Sequence, residues 1–215
     1  MSWRQQRPTR RASAHPYIGR RMSEAEHKQQ EANREAQRTG VEAEALVERM
    51  GAEYLRTEYA HIRKRSEPYR RIGGVGKGGV FRAVNTGASG PDFELWLADG
   101  RAGLLELKSR KGSRVPLDAV GGAQALALQR CVSWGHLALV LVRLDSVWWL
   151  VDFSAWTHSH KRSLNTVDLE VQGARVPVTA DGLPDFLAVL PLAQEQARVF
   201  CAGLVPRTEQ ADHTD

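Results

Sequence analysis

The chain has 215 residues, 42% of them hydrophobic and 26% charged, and carries a net charge of +5. These are globular proportions, with length for one medium core plus appendages, and no apolar run approaches the ~20 residues that a bilayer span needs. Cys131 and Cys201 stand alone in apolar neighbourhoods, without a CxxC or histidines at ligand spacing, and the N-terminus has no apolar signal core. The expectation is therefore a cytoplasmic protein with two reduced core thiols, no zinc site and no membrane partner.

The distribution of charge says more than its sum. Residues 1–21 hold six arginines (Arg4, Arg7, Arg10, Arg11, Arg20 and Arg21) and no acid. Residues 61–82 hold Arg63, Lys64, Arg65, Arg70, Arg71, Lys77 and Arg82 against the single acid Glu67. Two basic clusters on an otherwise nearly neutral chain suit a polyanion, and nucleic acid is the commonest one. For the first cluster a solubility tail is an equally good reading, but the second interrupts the folded part.

In chain order, residues 1–22 are rich in Arg, Ser, Pro and Gln and read as a disordered arm. Ser23 and Glu26 form a capping box for a helix to about 37, which has little but alanine to bury and is closed by Gly40. From 41 to about 59, Ala43, Leu46, Val47, Met50, Tyr54 and Leu55 recur at helical spacing. Glu44 lies beside this stripe, where it could border a metal or simply face solvent. Residues 61–65 read as a strand broken by Pro68. Residues 69–72 and 80–84 form two arms around the tip Gly73 to Gly79. That tip is no Walker loop, because Gly78 stands where Ser or Thr must follow Lys77. A basic, glycine-rich protrusion can approach phosphates closely, although an ordinary flexible hairpin has the same composition.

The next stretch carries the chemistry. Asp99-Gly100 between FELWLA and AGLLELK predicts a hairpin with a type I′ turn. Pairing back from the turn sets Asp92 opposite the residues around Glu106 to Lys108. Period-two alternation points Glu106 and Lys108 one way, and Leu105 and Leu107 into the core. Two carboxylates and one ammonium can hold Mg²⁺ against a phosphate and orient an attacking water. On spacing alone, a solvated strand face explains the same residues. Arg110, Lys111 and Arg114 extend positive charge beyond Lys108.

A helix is expected from about 117 to 134, with Gln124 near its start, placed for a phosphate, a water or plain solvent. Residues 136–142 read as a strand covered on both faces. Residues 147–151 read as another, in which one of Trp148 and Trp149 packs inside and the other needs a partner, a second subunit or a nucleobase. An exposed basic turn at 158–162, a weaker strand near 167–178, a segment at 186–192, a helix to about 202 and a frayed tail complete the chain. The order implies an α/β or α+β domain with a central mixed sheet flanked by helices.

Taken together, these pieces resemble the RecU-type Holliday junction resolvases of the PD-(D/E)xK nuclease superfamily, over residues 40–151 and more weakly to 200. The resemblance rests on GVEAEALVERMGAEYL, HIRKRSEP, the basic protruding segment, PDF, LELKSR, the Pro116-Leu117 helix entry, Gln124, and the paired strands LALVLV and VWWLVD. It implies a restriction-endonuclease-like fold, with residues 1–39 as a basic arm, 40–203 as the nuclease domain with a stalk at about 66–86, and 204–215 as a tail.

The resemblance also implies Asp92, Glu106 and Glu44 as metal ligands, Lys108 and Gln124 as catalytic partners, and Mg²⁺, or else Mn²⁺, as cofactor. The expected substrate is branched DNA, a four-way junction cut by paired symmetric nicks in recombination and repair by a homodimer, with a recombinase as candidate partner. Arg63, Lys64, Arg65, Arg70, Arg71, Lys77, Arg82, Arg110, Lys111 and Arg114 are the expected DNA contacts. Gly90 and Pro91 replace threonines frequent before the aspartate, Gly121 to Ala123 replace a histidine-rich stretch, and the stalk is shorter and richer in glycine. Rival readings are a duplex nuclease of the same superfamily, a non-cleaving DNA-binding accessory protein and an RNA-binding protein.

Overall fold

The computed structural model describes residues 23–66, 69–72, 82–85 and 90–203, the two short middle segments by backbone alone. The expected arm at 1–22, the glycine-rich tip and the tail from 204 lie outside the described residues. The described chain divides into two units between Arg34 and Glu35.

Helix α1 spans Glu24–Arg56. Its capping box is present: Ser23 N donates to Glu26 Oε2 at 2.7 Å and Glu26 N donates to Ser23 Oγ at 3.2 Å. Gly40 does not close a helix there, and the domain boundary expected at 39/40 falls inside α1. A glycine costs a helix about 1 kcal/mol relative to alanine. The turn that follows buries Ala43 and Val47 completely, which outweighs that cost. Residues 23–38 are exposed throughout, and the apolar stripe begins at Ala43. Leu55, expected on that stripe, points to solvent.

The core is a six-stranded mixed sheet. Its members are β1 (Ala60–Lys64), β4 (Phe93–Leu97), β5 (Ala102–Arg110), β7 (Leu137–Leu144), β8 (Val147–Asp152) and β10 (Gly173–Val176). The order is β1-β4-β5-β7-β8-β10, with only β5 and β7 parallel. The predicted arms are present as the antiparallel pair β2 (Tyr69–Ile72) and β3 (Arg82–Asn85). A small extra sheet pairs β6 (Arg114–Pro116) with β9 (Ser163–Asn165).

The parallel step from β5 to β7 passes through β6 and helix α2 (Gly122–Ser133). That helix begins five residues later than expected. Leu117–Ala119 is a single 3-10 turn, and the extended residues Val120 and Gly121 precede the α-helix. After β8 come α3 (Phe153–His158), α4 (Thr166–Gln172) and α5 (Leu190–Cys201). The single strand expected near 167–178 is thus α4 followed by β10. Asn165 and Asp168 form a capping box there: Asp168 N donates to Asn165 Oδ1 and Asn165 N to Asp168 Oδ2.

The two faces of the sheet are covered unequally. On one face α1 packs along β4, β5 and β7 through Ala43, Val47, Met50 and Tyr54, against Phe93, Leu95, Leu105 and Leu139. On the other, α2, α3 and α4 contribute Leu128, Phe153 and Leu169 to a core built on Val140, Val142, Trp149 and Val151. No residue of β1 or β4 belongs to that second core. Trp148 faces the first core and Trp149 the second, so both are buried and neither needs an outside partner. The reason is the double cover over β8, which the alternation of two apolar neighbours could not reveal. No helix among the described residues is long and apolar enough to cross a membrane.

Candidate active site

The hairpin of β4 and β5 pairs Phe93 with Leu105, which brings Asp92 level with Glu106 as the sequence predicts. The turn between them is not type I′. Gly100 alone has a positive φ, +86°, while Gly100 N donates to Leu97 O and Leu97 N to Arg101 O. That is a three-residue turn with a glycine bulge. Asp99 is held by its own side chain, whose Oδ1 accepts from Arg101 N at 3.0 Å.

Asp92 sits one residue before β4, fixed at both ends. Its Oδ2 accepts from Leu107 N at 2.8 Å, and its carbonyl accepts from Arg65 N at 2.7 Å. Glu106 is 0% exposed, in the middle of β5. Its Oε1 lies 2.5 Å from Lys108 Nζ, yet neither of its buried oxygens receives a well-aligned hydrogen bond. Lys108 also donates to Gln124 Oε1 at 3.4 Å, and the same oxygen accepts from Gly121 N at 2.9 Å. Gln124 is thereby locked at the start of α2 with its oxygen turned to the lysine. The structure brings together Asp92, Glu106, Lys108 and Gln124, four of the five catalytic residues expected from sequence.

Burial governs the electrostatics. It pushes the Glu106 carboxyl up to about 7; the charge of Asp92 adds to the rise and Lys108 opposes it. Burial also raises Asp92, against the Leu107 N–H and Lys108, with Glu44 pushing the same way as burial. One buried and one half-buried carboxylate face a single ammonium, so a net negative charge stays in a poorly solvated place when both ionise.

Glu44 differs from expectation. Its Oε2 lies 2.8 Å from Lys64 Nζ, which also reaches Glu48 Oε1 at 2.9 Å. The two acids, by hydrogen bonding, raise Lys64 further and hold it as a cation. Among the described residues no group of three or more His, Cys, Asp or Glu side chains is disposed to hold a metal. Glu44 is thus spent on a lysine, within electrostatic range of Asp92. The remaining pair still suits Mg²⁺, which commonly takes one or two carboxylates and keeps several waters. The unsatisfied oxygens of Glu106 are the observation that fits a hard cation.

The expected DNA contacts fare unevenly. Arg63 pairs with Glu94 at 2.6 Å, and Arg65 Nε lies 3.5 Å from the same carboxylate. Lys111 pairs with Glu35, and Arg114 Nη1 donates to Ser163 Oγ at 3.4 Å. Arg110 is exposed at the end of β5. The side chains of Arg70, Arg71, Lys77 and Arg82 lie outside the described residues. Much of the basic charge around β1 is therefore matched by Glu44, Glu48 and Glu94, none of which lies in the segment whose charge stood out. Gly90 packs under Arg65: a Cβ there would lie 2.6 Å from Arg65 Nη1.

Sequence reasoning passed over Trp96 and Trp134, two exposed indoles on this side of the molecule. Alternation back along β4 carried the signal for the first, because Asp92, Glu94 and Trp96 share a face.

No family model matches the chain, and no curated protein matches it. Among solved structures, the chain is similar to Hjc, a Holliday junction resolvase from the archaeal hyperthermophile Archaeoglobus fulgidus. The TM-score is 0.37 at 13% identity, over 60% of this chain and 92% of that one.

Proposed function

We propose that the protein is a divalent-metal-dependent DNA endonuclease acting on branched DNA, with four-way junctions as the preferred substrate. The observation that carries this reading is the fully buried Glu106 carboxylate, short of hydrogen-bond donors and set beside Asp92 and Lys108. A fully buried acid beside a half-buried one with one lysine is costly to fold around, and it is an arrangement that suits metal-assisted phosphoryl chemistry.

Asp92 and Glu106 are the residues that hold the ion, Mg²⁺ or Mn²⁺. The ion supplies Lewis-acid polarisation of a phosphate and a lowered pKa for a nearby water. The Leu107 N–H orients Asp92. Lys108 opposes negative charge that builds on the phosphate oxygens during in-line attack, and Gln124 positions its ammonium. Arg110, Lys111 and Arg114 continue basic charge past the site and favour a polyanion without reading its sequence.

Junction choice belongs to a homodimer, because two symmetric nicks need two sites related by a twofold axis. The β2–β3 arms and their basic residues supply the insertion into the branch. A recombinase is the natural partner for such an enzyme.

The test is cleavage of immobile and mobile four-way junctions, against linear duplex of the same sequence, with Mg²⁺, Mn²⁺ or EDTA. Metal-dependent paired nicks on the junctions support the reading. Equal cutting of duplex replaces it with a duplex nuclease, and tight junction binding without nicking replaces it with an accessory protein.

A further inference from the structure

The face of the sheet that holds Asp92 continues uncovered beyond it. Glu94 and Trp96 follow Asp92 at alternate positions of β4, and on the neighbouring edge strand Arg63 pairs with Glu94 and His61 with Trp96. Trp96 is 40% exposed, with the His61 ring 5.5 Å from its own and the Arg63 guanidinium 5.4 Å from its centre. Across from it, where α2 ends, Trp134 is 71% exposed.

Both indoles line one groove of ≈ 260 Å³, together with Glu94, Leu104, Ala127 and Cys131. A second hollow, lined by Arg63, Lys64, Arg65, Ser66 and Glu94, shares the Glu94 wall. A single carboxylate there serves two guanidiniums, so Arg63 and Arg65 outnumber Glu94, while Lys64 beside them is matched by Glu44 and Glu48.

Aromatic floor and cationic rim, side by side, are what an unpaired nucleotide needs: a π-face for the base and charge for its phosphate. Trp96 lies four residue steps beyond Asp92, roughly 13 Å, which is about four stacked nucleotides at duplex rise. A second copy of the chain suits this surface less well. A stable dimer needs about 800 Å² per partner, largely apolar at its centre, whereas here Arg63, Glu94 and Arg65 interrupt the apolar surface.

We infer that the Trp96–Trp134 groove is a stacking platform for an unpaired nucleobase close to the cleaved phosphate, so that the substrate class is DNA with unpaired nucleotides at its branch. This rests on the nuclease reading, and the test separates the two. Fluorescence anisotropy of the full chain in EDTA compares a single-stranded oligonucleotide, the same strand with abasic sites, and the matched duplex.

Trp96→Ala and Trp134→Ala are each expected to weaken single-strand binding about tenfold and leave duplex binding unchanged. The abasic strand should bind the parent weakly and the variants no worse. Trp96→Phe and Trp134→Phe keep a ring and should restore most of the affinity, which also controls for folding. Unchanged affinity, an equal loss on duplex and single strand, or a Trp134→Ala change confined to sedimentation of a dimer overturns the platform. Because binding is measured without metal, failure of the parent to nick junctions in the separate Mg²⁺ and Mn²⁺ assays sinks the nuclease reading and leaves this binding result intact.

Discussion

Two pairs of tryptophans divide the molecule. Trp148 and Trp149 are neighbours on β8 and are 3% and 2% exposed, whereas Trp96 and Trp134 are 40% and 71% exposed. The first pair lies where helices cover both faces of the sheet, and each indole fills a different core. The second lies where β1 and β4 are covered by α1 alone. The site occupies the seam between these regions, on β5. Glu106 is on the closed side and loses its solvation, while Asp92 begins a face that stays open to a large substrate. A sheet closed on one half and open on the other thus sets a buried carboxylate, Glu106, beside a half-buried one, Asp92, at the start of an open face.

The sharpest test of the seam is chemical. Asp92→Asn and Lys108→Ala should each reduce metal-dependent nicking by at least about a hundredfold and leave junction binding in EDTA within a fewfold. Strong residual cutting by either purified variant would remove the site from that position. Next comes the contrast between the tryptophans themselves. Trp149→Ala should destabilise the fold by about 3–5 kcal/mol in urea denaturation, by transfer and cavity costs. Trp134→Ala should change it by no more than about 0.5 kcal/mol, as for other exposed positions. Comparable losses for the two would mean that the open half is covered after all.

The buried acid gives a pH signature in the metal-free protein. With a folded pKa near 7 against 4.5 unfolded, Glu106 keeps its proton in the native state while the unfolded chain has released it. Its favourable contribution is therefore whole below about pH 4.5 and is lost as pH rises through 7. The loss is roughly 3 kcal/mol at most, at about 1.4 kcal/mol per pH unit. Glu106→Gln should flatten this slope and raise the melting temperature at pH 8. Mg²⁺ should raise the melting temperature of the parent at pH 8 and do little for Glu106→Gln, since binding to the native state alone is stabilising. A Glu106→Gln protein that keeps the parent's slope would place the titration elsewhere.

How much of this was readable beforehand follows from which forces are local. Alternation and the Asp-Gly turn were enough to set Asp92 level with Glu106, because strand register is a period-two property. They also carried Trp96, once Asp92 was fixed. The turn type was not legible, because Asp99 chooses its conformation by bonding Arg101 N rather than by propensity. Nor was the fate of Glu44 or of Arg63 and Arg65. Their counter-ions are Lys64 and Glu94, remote in sequence, and a local charge count cannot see a partner thirty residues away. Both tryptophans of β8 are buried because of α3, α4 and α5, a tertiary fact that no window of the chain contains.

The smallest effect concerns the helix that closes the one face both halves share. Gly40 reads as a stop signal, yet α1 runs through it, its φ is not positive, and an added Cβ there meets nothing within 4 Å. Nothing in packing or backbone conformation then requires a glycine. Gly40→Ala should stabilise the protein by about 0.5–1 kcal/mol, through the lower backbone entropy of alanine in the unfolded chain. The check is a rise in the urea midpoint at constant m-value, with nicking unchanged. A destabilised Gly40→Ala protein would mean that α1 bends at this residue in solution, and that the segments before and after it behave as the two helices their composition suggests.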